Sequence, residues 1–181
     1  MATKYSGKTR IESDLLGEME VPVEALYGVQ TLRGIETFPI SCFHLSDYPL
    51  FINGLAMTKL AAAQANHQLA LLTDAQFDGI SKACLEILEG KHYDQFPCDM
   101  IQGGAGTTTN MNANEVIANR ALQLMGHEAG EYQYCSPNDH VNCSQSTNDA
   151  YPCGIHLGLY ATHQVFMKHY DALIESFDKK A

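Results

Sequence analysis

Two short stretches of the chain concentrate neutral side chains that can donate hydrogen bonds. Residues 102–115 read QGGAGTTTNMNANE, and residues 144–149 read SQSTND. Each stretch stands at a predicted helix start, where free backbone N–H groups and the helix dipole favour an anion. Two donor clusters of this kind fit a small ligand with two anionic ends. The sequence leaves open a simpler alternative, in which these residues only cap helices.

The glycines of the first stretch match neither of the common nucleotide-binding loops. GGAGTTTN lacks the Gly-Lys-Ser/Thr ending of a P-loop, and no strand is predicted before it. It also fails as a dinucleotide fingerprint, because Thr109 stands where the third glycine belongs. Nucleotide binding is therefore not indicated.

Helix capping explains only part of the two stretches. Gly103, Gly104 and Gly106 suit a tight turn, and Asn112 with Glu115 is predicted to cap a helix that starts near Asn112. Capping leaves a run of hydrogen-bonding residues without a structural reason: Thr107, Thr108, Thr109 and Asn110. In the second stretch one cap needs one polar residue, but several stand in a row: Ser146, Thr147 and Asn148.

Neither cluster contains Lys or Arg, although a bound dianion needs a counter-charge. The net charge of −10 makes a local source of positive charge necessary. No histidine is spaced from a carboxylate in a way typical of catalysis or of a metal site. The candidates are His127, His140, His156, His163 and His169, whereas His67 is predicted to lie in the core. We expect the missing charge and the missing base to lie beyond residue 181.

The elements that must position these residues are predicted to be mainly helical. Residues 10–22 suit a small extended segment or hairpin, and an Ala-rich helix with a stripe through Ile52, Ala56, Leu60, Ala63 and Leu71 follows. A capping box at Thr73 and Gln76 opens the next helix, and Gly90 ends it. The last segment places apolar residues at heptad-like spacing on one long helix: Ile155, Leu159, Thr162, Phe166, Tyr170, Leu173 and Phe177.

Composition narrows the class of protein. The chain has 181 residues, 45% of them hydrophobic and 18% charged, which is typical of a globular protein. Its negative net charge argues against nucleic acid or an anionic membrane as a partner. It contains no run of apolar residues long enough to span a membrane, and its N-terminus lacks the features of a signal peptide. We expect a cytoplasmic protein with mostly buried, reduced cysteines.

Several motifs together carry a resemblance to a known family. The chain contains, in this order, RIESDLLGEMEVP, DQFP, QGGAGTTTNMNANEVIANRA, GEYQY, PNDHVN and QSTND. These motifs closely resemble the aspartase/fumarase superfamily and, within it, the aspartase branch. The resemblance runs from Arg10 to the end of the chain.

The resemblance implies a mainly α fold in two parts. Residues 1–145 would form the N-terminal lyase domain, with a short β-hairpin plus helices, and residues 146–181 the first long helix of a central helical-bundle domain. Members of the superfamily are longer homotetramers whose sites are shared between subunits, and they carry a later loop of the GSSxMPxKxN type. This loop is absent here, so the 181-residue chain alone is expected to be inactive. The alternative is an isolated, non-catalytic N-terminal domain.

The resemblance also implies a substrate and a division of roles. L-Aspartate would be deaminated reversibly to fumarate and ammonia through an aci-carboxylate intermediate. Thr107, Ser146 and Thr147 would bind the β-carboxylate, Asn148 with Thr107 would face the amino group, and Asn110 would support Thr107. The base would be a serine of the later loop, and a lysine there would grip the α-carboxylate. No prosthetic group and no metal site is implied, and activation by a divalent cation stays open.

A class II-type fumarase, which hydrates fumarate to malate, is the nearest alternative. The sequence has Thr147 where fumarases usually show a second serine, and Ser136 before PNDH where they usually have histidine. Together with GEYQY, these residues favour the deaminating branch.

Overall fold

The computed structural model describes residues 5–180 of the chain. Residues 1–4 and 181, which belong to the ends of the two predicted domains, lie outside the described residues. Within residues 5–180 no helix is both long enough and apolar enough to cross a membrane. Two strands and five longer helices follow in chain order: β1 Thr9–Asp14, β2 Gly17–Pro22, α1 Val29–Thr37, α2 Pro49–Gln68, α3 Asp74–Leu88, α4 Thr107–Leu124 and α5 Thr147–Asp178.

The predicted hairpin is present, and one arginine ties it to the segment that follows. Strands β1 and β2 are antiparallel, with Asp14 opposite Gly17 at the turn. From β1, the guanidinium of Arg10 donates hydrogen bonds of 2.8–2.9 Å to the carbonyl oxygens of Pro22, Ala25 and Tyr27. These bonds fix the path of the chain between the hairpin and α1.

Helix α3 begins and ends as the sequence predicts. The Thr73 hydroxyl accepts from the backbone N–H of Gln76, and the Gln76 side chain accepts from the backbone N–H of Thr73. The helix ends at Leu88, and Gly90 follows in the left-handed conformation with φ of +92°. Such a φ favours glycine because it has no Cβ.

Helix α4 begins earlier than predicted, and the predicted Asn112–Glu115 cap is wrong. The helix starts at Thr107, after Gly106 in the left-handed conformation with φ of +87°. Asn112 is fully buried and donates to the carbonyl oxygen of Gln95 at 3.0 Å. Glu115 instead caps the distant helix α1, because its carboxylate accepts hydrogen bonds of 2.6–3.0 Å from four donors: the backbone N–H groups of Gly28, Gln30 and Thr31, and the Thr31 hydroxyl.

Helices α2 and α5 are in close contact through glycines. A Cβ on Gly54 would collide with the backbone of α5 at Gly154 and Gly158, and a Cβ on Gly158 would lie 2.8 Å from Cα of Phe51. Leu71, predicted on the apolar stripe of α2, lies beyond the end of that helix and is 53% exposed.

Helix α5 confirms the predicted long helix. It has 32 residues, and its N-terminal part packs on α2 and α4. Beyond Gly158 the apolar side chains are largely exposed: Leu159, Tyr160, Val165, Phe166, Met167, Tyr170, Leu173, Ile174 and Phe177. The mainly α fold with one small sheet is as predicted. The predicted domain boundary between residues 145 and 146 stays a prediction. Helix α5 begins close to it, at Thr147.

Candidate functional site

The two predicted donor clusters meet where the first turns of α4 and α5 come together. The Asn110 side-chain amide, in the first turn of α4, donates to Oγ1 of Thr147, the first residue of α5, at 3.2 Å. Gly106 allows this approach, because a Cβ there would collide with the ring of Tyr151 on α5. Two helix N-termini therefore lie side by side, and the positive end of each helix dipole favours an anion.

The three consecutive threonines of the first cluster have separate surroundings. Thr109 is buried and closes the glycine loop, since its backbone N–H donates to Gln102 Oε1 at 2.7 Å and its Oγ1 accepts from Gln102 Nε2 at 2.6 Å. Thr108 places its methyl group against Gly34 of α1. Thr107 is exposed and donates only to the Gly104 carbonyl, at 2.9 Å. Of the three threonines, Thr107 is the exposed one, so its hydroxyl is accessible to a ligand.

The second cluster forms the cap and the first turn of α5. Ser146 is the N-cap residue, and its hydroxyl accepts from the backbone N–H of Asn148 at 3.2 Å. Ser146 and Asn148 are exposed, and Thr147 is half-buried beside Asn110. Ser144 has φ of +58°, so a non-glycine residue sits in the left-handed conformation just before the cap. Such conformations cluster at binding sites.

A buried lysine that the sequence reasoning missed lies directly behind both clusters. Lys59 of α2 is fully buried, and its ammonium donates to Oδ1 of Asn110 at 2.7 Å. It also donates to Oδ1 of Asn142 at 3.0 Å and to Oε1 of Gln145 at 2.9 Å. Three protons thus meet three acceptors. Burial lowers the pKa of Lys59 to about 7, whereas the three amide oxygens favour the protonated form.

Asn142 connects the lysine to both clusters. Its Oδ1 accepts from Lys59 and from the side-chain amides of Asn110 at 3.1 Å and Asn114 at 3.2 Å. Its own Nδ2 donates to the Gln145 carbonyl at 3.0 Å, one residue before the cap of α5. One asparagine therefore joins α2, α4 and the loop that leads into α5.

Lys59 changes the electrostatic description of the site. None of the ion pairs found among residues 5–180 includes it. An ammonium that faces only neutral amides raises the local potential, and a low dielectric around it strengthens this effect. That the counter-charge of the ligand comes from beyond residue 181 stays a prediction. Lys59 adds one cation from within the chain, which the sequence analysis did not name.

A sequence signal for Lys59 exists. It falls on the buried stripe of α2 between Ala56 and Ala63, at helical spacings of three and four. Lysine is almost never fully buried unless its charge is satisfied. A lysine on the apolar face of a predicted helix therefore indicates a buried polar partner, although it does not say which one.

The histidines considered as bases do not join this cluster. His127 stacks on Tyr134 with ring centroids 3.8 Å apart and lies 3.6 Å from Glu131. His67 is half-buried, not in the core as predicted, because it stacks on Phe77 and bonds to Asp74 at 2.8 Å. Within residues 5–180, no group of three or more His, Cys, Asp and Glu side chains is arranged to hold a metal ion.

Comparisons with known proteins find that this chain is similar to lyases. A family model described as "Lyase" matches residues 17–181. Aspartate ammonia-lyase from Pseudomonas canavaninivorans is 54% identical over 94% of this chain and 36% of its own length. Aspartate ammonia-lyase from Escherichia coli (strain K12) is 52% identical over 97% of this chain and 37% of its own length. The chain thus spans little more than a third of these relatives.

Solved structures of two similar proteins superpose on this chain. A fumarate lyase:delta crystallin from Brucella melitensis bound to cobalt superposes with a TM-score of 0.93 at 46% identity, over 95% of this chain and 37% of the other. A recombinant class II fumarase from Schistosoma mansoni gives a TM-score of 0.77 at 38% identity, over 83% of this chain and 31% of the other.

Proposed function

The chain belongs to the lyase family, as the resemblance to the aspartase/fumarase superfamily predicts, and from this premise we propose that it forms the dicarboxylate-binding part of an aspartate ammonia-lyase. The reaction is the reversible deamination of L-aspartate to fumarate and ammonia. One observation carries the proposal: Asn110 and Thr147 are in contact, so the two clusters form one surface of neutral donors backed by a buried cation.

The proposed chemistry uses donors that match a developing negative charge. A base removes a proton from C3, and the electron pair moves into the β-carboxylate to form an aci-carboxylate dianion. The double bond between C2 and C3 then forms as the C–N bond breaks, and ammonia leaves with its electron pair. We assign Thr107, Ser146 and Thr147 to the β-carboxylate. Donors that bind this dianion more tightly than the substrate lower the barrier.

The remaining roles complete the proposal. Asn148 with Thr107 faces the amino group, and Asn110 holds Thr147 from the side. The base, a serine, and a lysine for the α-carboxylate come from the loop that the resemblance implies. No prosthetic group is proposed, and dialysis against EDTA followed by addition of Mg²⁺ or Co²⁺ tests activation by a divalent cation. A cytoplasmic location stays a prediction that cell fractionation can check.

A class II-type fumarase is the second candidate, because a fumarase is among the similar structures. Ser136 and Thr147 are the two residues at which this sequence differs from the usual fumarase pattern. Ser136 has a structural role. Its hydroxyl accepts from the backbone N–H of Asp139 at 3.1 Å and donates to the Asp139 carboxylate at 2.9 Å, so it caps the turn Pro137–Val141. Thr147 remains as the difference within the donor surface, and it favours the ammonia-lyase.

We also propose that the active protein is a homotetramer. Several large apolar side chains on α5 are exposed, with Phe177 at 68% and Tyr160 at 67%. Their heptad-like spacing suits helix packing in a bundle. Light scattering tests this assembly, and a monomer at high protein concentration would count against it.

A chimera tests the activity directly. The aligned part of this chain replaces its counterpart in the Escherichia coli aspartate ammonia-lyase, to which it aligns over 177 residues, and the release of fumarate from L-aspartate is followed by absorbance. We expect turnover by the chimera and none by the 181-residue chain alone. Turnover of L-malate but not of L-aspartate would favour the fumarase. A folded chimera without either activity would favour the non-catalytic domain.

Within an active chimera, single donors can be removed. Thr107→Ala and Ser146→Ala should each lower the rate by about 10² to 10³-fold, the usual effect of losing one such donor. Ser13→Ala is the matched control, because this exposed serine of β1 lies outside both donor clusters. Near-normal rates for both Thr107→Ala and Ser146→Ala would contradict the assignment.

A further inference from the structure

We propose that Lys59 is a positioning residue, whose ammonium holds the amides of Asn110, Asn142 and Gln145 with their oxygens inward and thereby aligns the two donor clusters with each other. The inference deepens the proposed function and rests on it for the identity of the ligand. The side chain itself is fully buried behind the clusters.

The argument begins with the two ends of a side-chain amide. An amide has an acceptor oxygen at one end and a donor NH₂ at the other, and the two differ little in shape. At Asn110 the oxygen meets the ammonium at 2.7 Å, so the NH₂ must point away from Lys59, toward Thr147 at 3.2 Å. A cation behind the amide therefore decides that a donor, not an acceptor, faces the start of α5.

The second cluster depends on the same ammonium through Gln145. Oε1 of Gln145 accepts from Lys59 at 2.9 Å, and its NH₂ donates to the carbonyl oxygens of Val141 at 2.8 Å and Cys143 at 3.2 Å. These bonds hold the loop that ends at the cap residue Ser146. Asn142, which accepts from the same ammonium, donates to the Gln145 carbonyl at 3.0 Å. Both clusters are thus anchored at one nitrogen atom.

The arrangement requires the charged form of the lysine. An ammonium has three N–H donors and meets three acceptors, whereas a neutral amine has two donors and one lone pair. Loss of a proton leaves one amide oxygen facing a lone pair, and rotation of that amide by 180° relieves the repulsion. Burial lowers the pKa of Lys59 to about 7. From α3, the titratable group that acts on Lys59 is the thiol of Cys84. Burial raises the pKa of this thiol to about 12.

Nuclear magnetic resonance on the ¹⁵N-labelled 181-residue chain tests the positioning role without any activity. We compare wild type with Lys59→Met, and with Lys82→Met as the control for loss of an exposed lysine. In Lys59→Met the side-chain amide signals of Asn110, Asn142 and Gln145 should move beyond the scatter of all other side-chain amides. If they stay within that scatter while the chain remains folded, Lys59 does not set their orientation.

A second measurement keeps the inference testable if Lys59→Met does not fold. The ε-carbon signal of Lys59 reports its protonation in wild type, and the pH range is extended until this signal titrates. The three amide signals should titrate with the same midpoint. Amide signals that stay constant through this midpoint would overturn the inference.

Fumarate as a probe separates this inference from the proposed function. In wild type it should shift the backbone signals of Thr107 and Ser146–Asn148, and in Lys59→Met its affinity should fall about tenfold or more, as for loss of a hydrogen bond to a charged group. Equal affinity in both proteins would contradict the positioning role. If the amides reorient but fumarate does not bind wild type, the positioning role stands and the proposed ligand is wrong.

Discussion

Gly54→Ala should destabilise the chain by separating α2 from α5. The added Cβ would collide with the Gly154 carbonyl oxygen and would lie 2.9 Å from the Gly158 nitrogen and 3.1 Å from the Gly154 carbonyl carbon. These are backbone atoms, so no side-chain rotation can relieve the contact. Ordinary contact begins at 3.4 Å, and α5 must therefore move outward by about 1 Å, which loosens many small dispersion contacts.

The magnitude follows from two opposed effects. Insertion of a methyl group into a well-packed contact costs about 1–3 kcal/mol, and here the upper part of that range applies because the colliding atoms are backbone. Alanine in place of glycine inside a helix stabilises by about 0.5–1 kcal/mol. The net loss is about 2 kcal/mol, which for a chain of this size lowers the Tm by about 4–8 °C.

Thermal unfolding followed by far-ultraviolet circular dichroism measures this shift. Gly79→Ala in α3 is the matched control, because its Cβ would lie 3.2 Å from two side-chain atoms and 3.3 Å from the nearest backbone oxygen. We expect Gly79→Ala to change the Tm little, since the gain in helix propensity offsets a mild contact. A Tm for Gly54→Ala at or above that of wild type would refute the glycine contact.

Three further substitutions test other contacts, each by chemical denaturation. Glu115→Ala removes the acceptor of four donors at the start of α1 and should cost about 3 kcal/mol or more, unlike Glu18→Ala, which removes an exposed carboxylate from β2. Glu86→Gln should cost about 1–2 kcal/mol at pH 7 after allowance for solvent screening. Hydrogen bonds from Arg120 hold the pKa of Glu86 at about 2. The stability that Glu86 contributes is therefore present above pH about 4.5 and is lost as the pH falls toward 2. If the stability of Glu86→Gln depended on pH in this range as that of wild type does, this contribution would be contradicted. Gly106→Ala should cost about 1–3 kcal/mol, because its φ of +87° strains any residue with a Cβ, and a stability equal to that of wild type would argue against this conformation.

Local signals explain the parts of the fold that the sequence predicts well. The capping box at Thr73 and Gln76 is complete within four residues, and the stripe of α5 repeats over several turns. Both depend on neighbours along the chain. The donor clusters were also visible, because each places more hydroxyls and amides at a predicted helix start than one cap needs.

Long-range contacts explain what the sequence did not predict. Glu115 has the spacing from Asn112 that a cap requires, but its carboxylate binds Gly28, which is 87 residues away. Lys59 lies 51 residues from Asn110 and 83 from Asn142, and no spacing along the chain relates the three. The partner of a buried polar group is decided by how helices pack, and a single sequence does not contain that arrangement in a local form.

The glycine contact between α2 and α5 also sets the position of a distant surface. Gly154 and Gly158 stand one turn apart, about 6 Å, whereas Phe177 lies about 28 Å beyond Gly158 along the axis. The outer part of α5 therefore acts as a lever: a displacement of about 1 Å at one glycine, with the other as the pivot, moves Phe177 by about 5 Å. A single methyl group at this pivot can thus spoil the alignment of an entire helix surface with its neighbours.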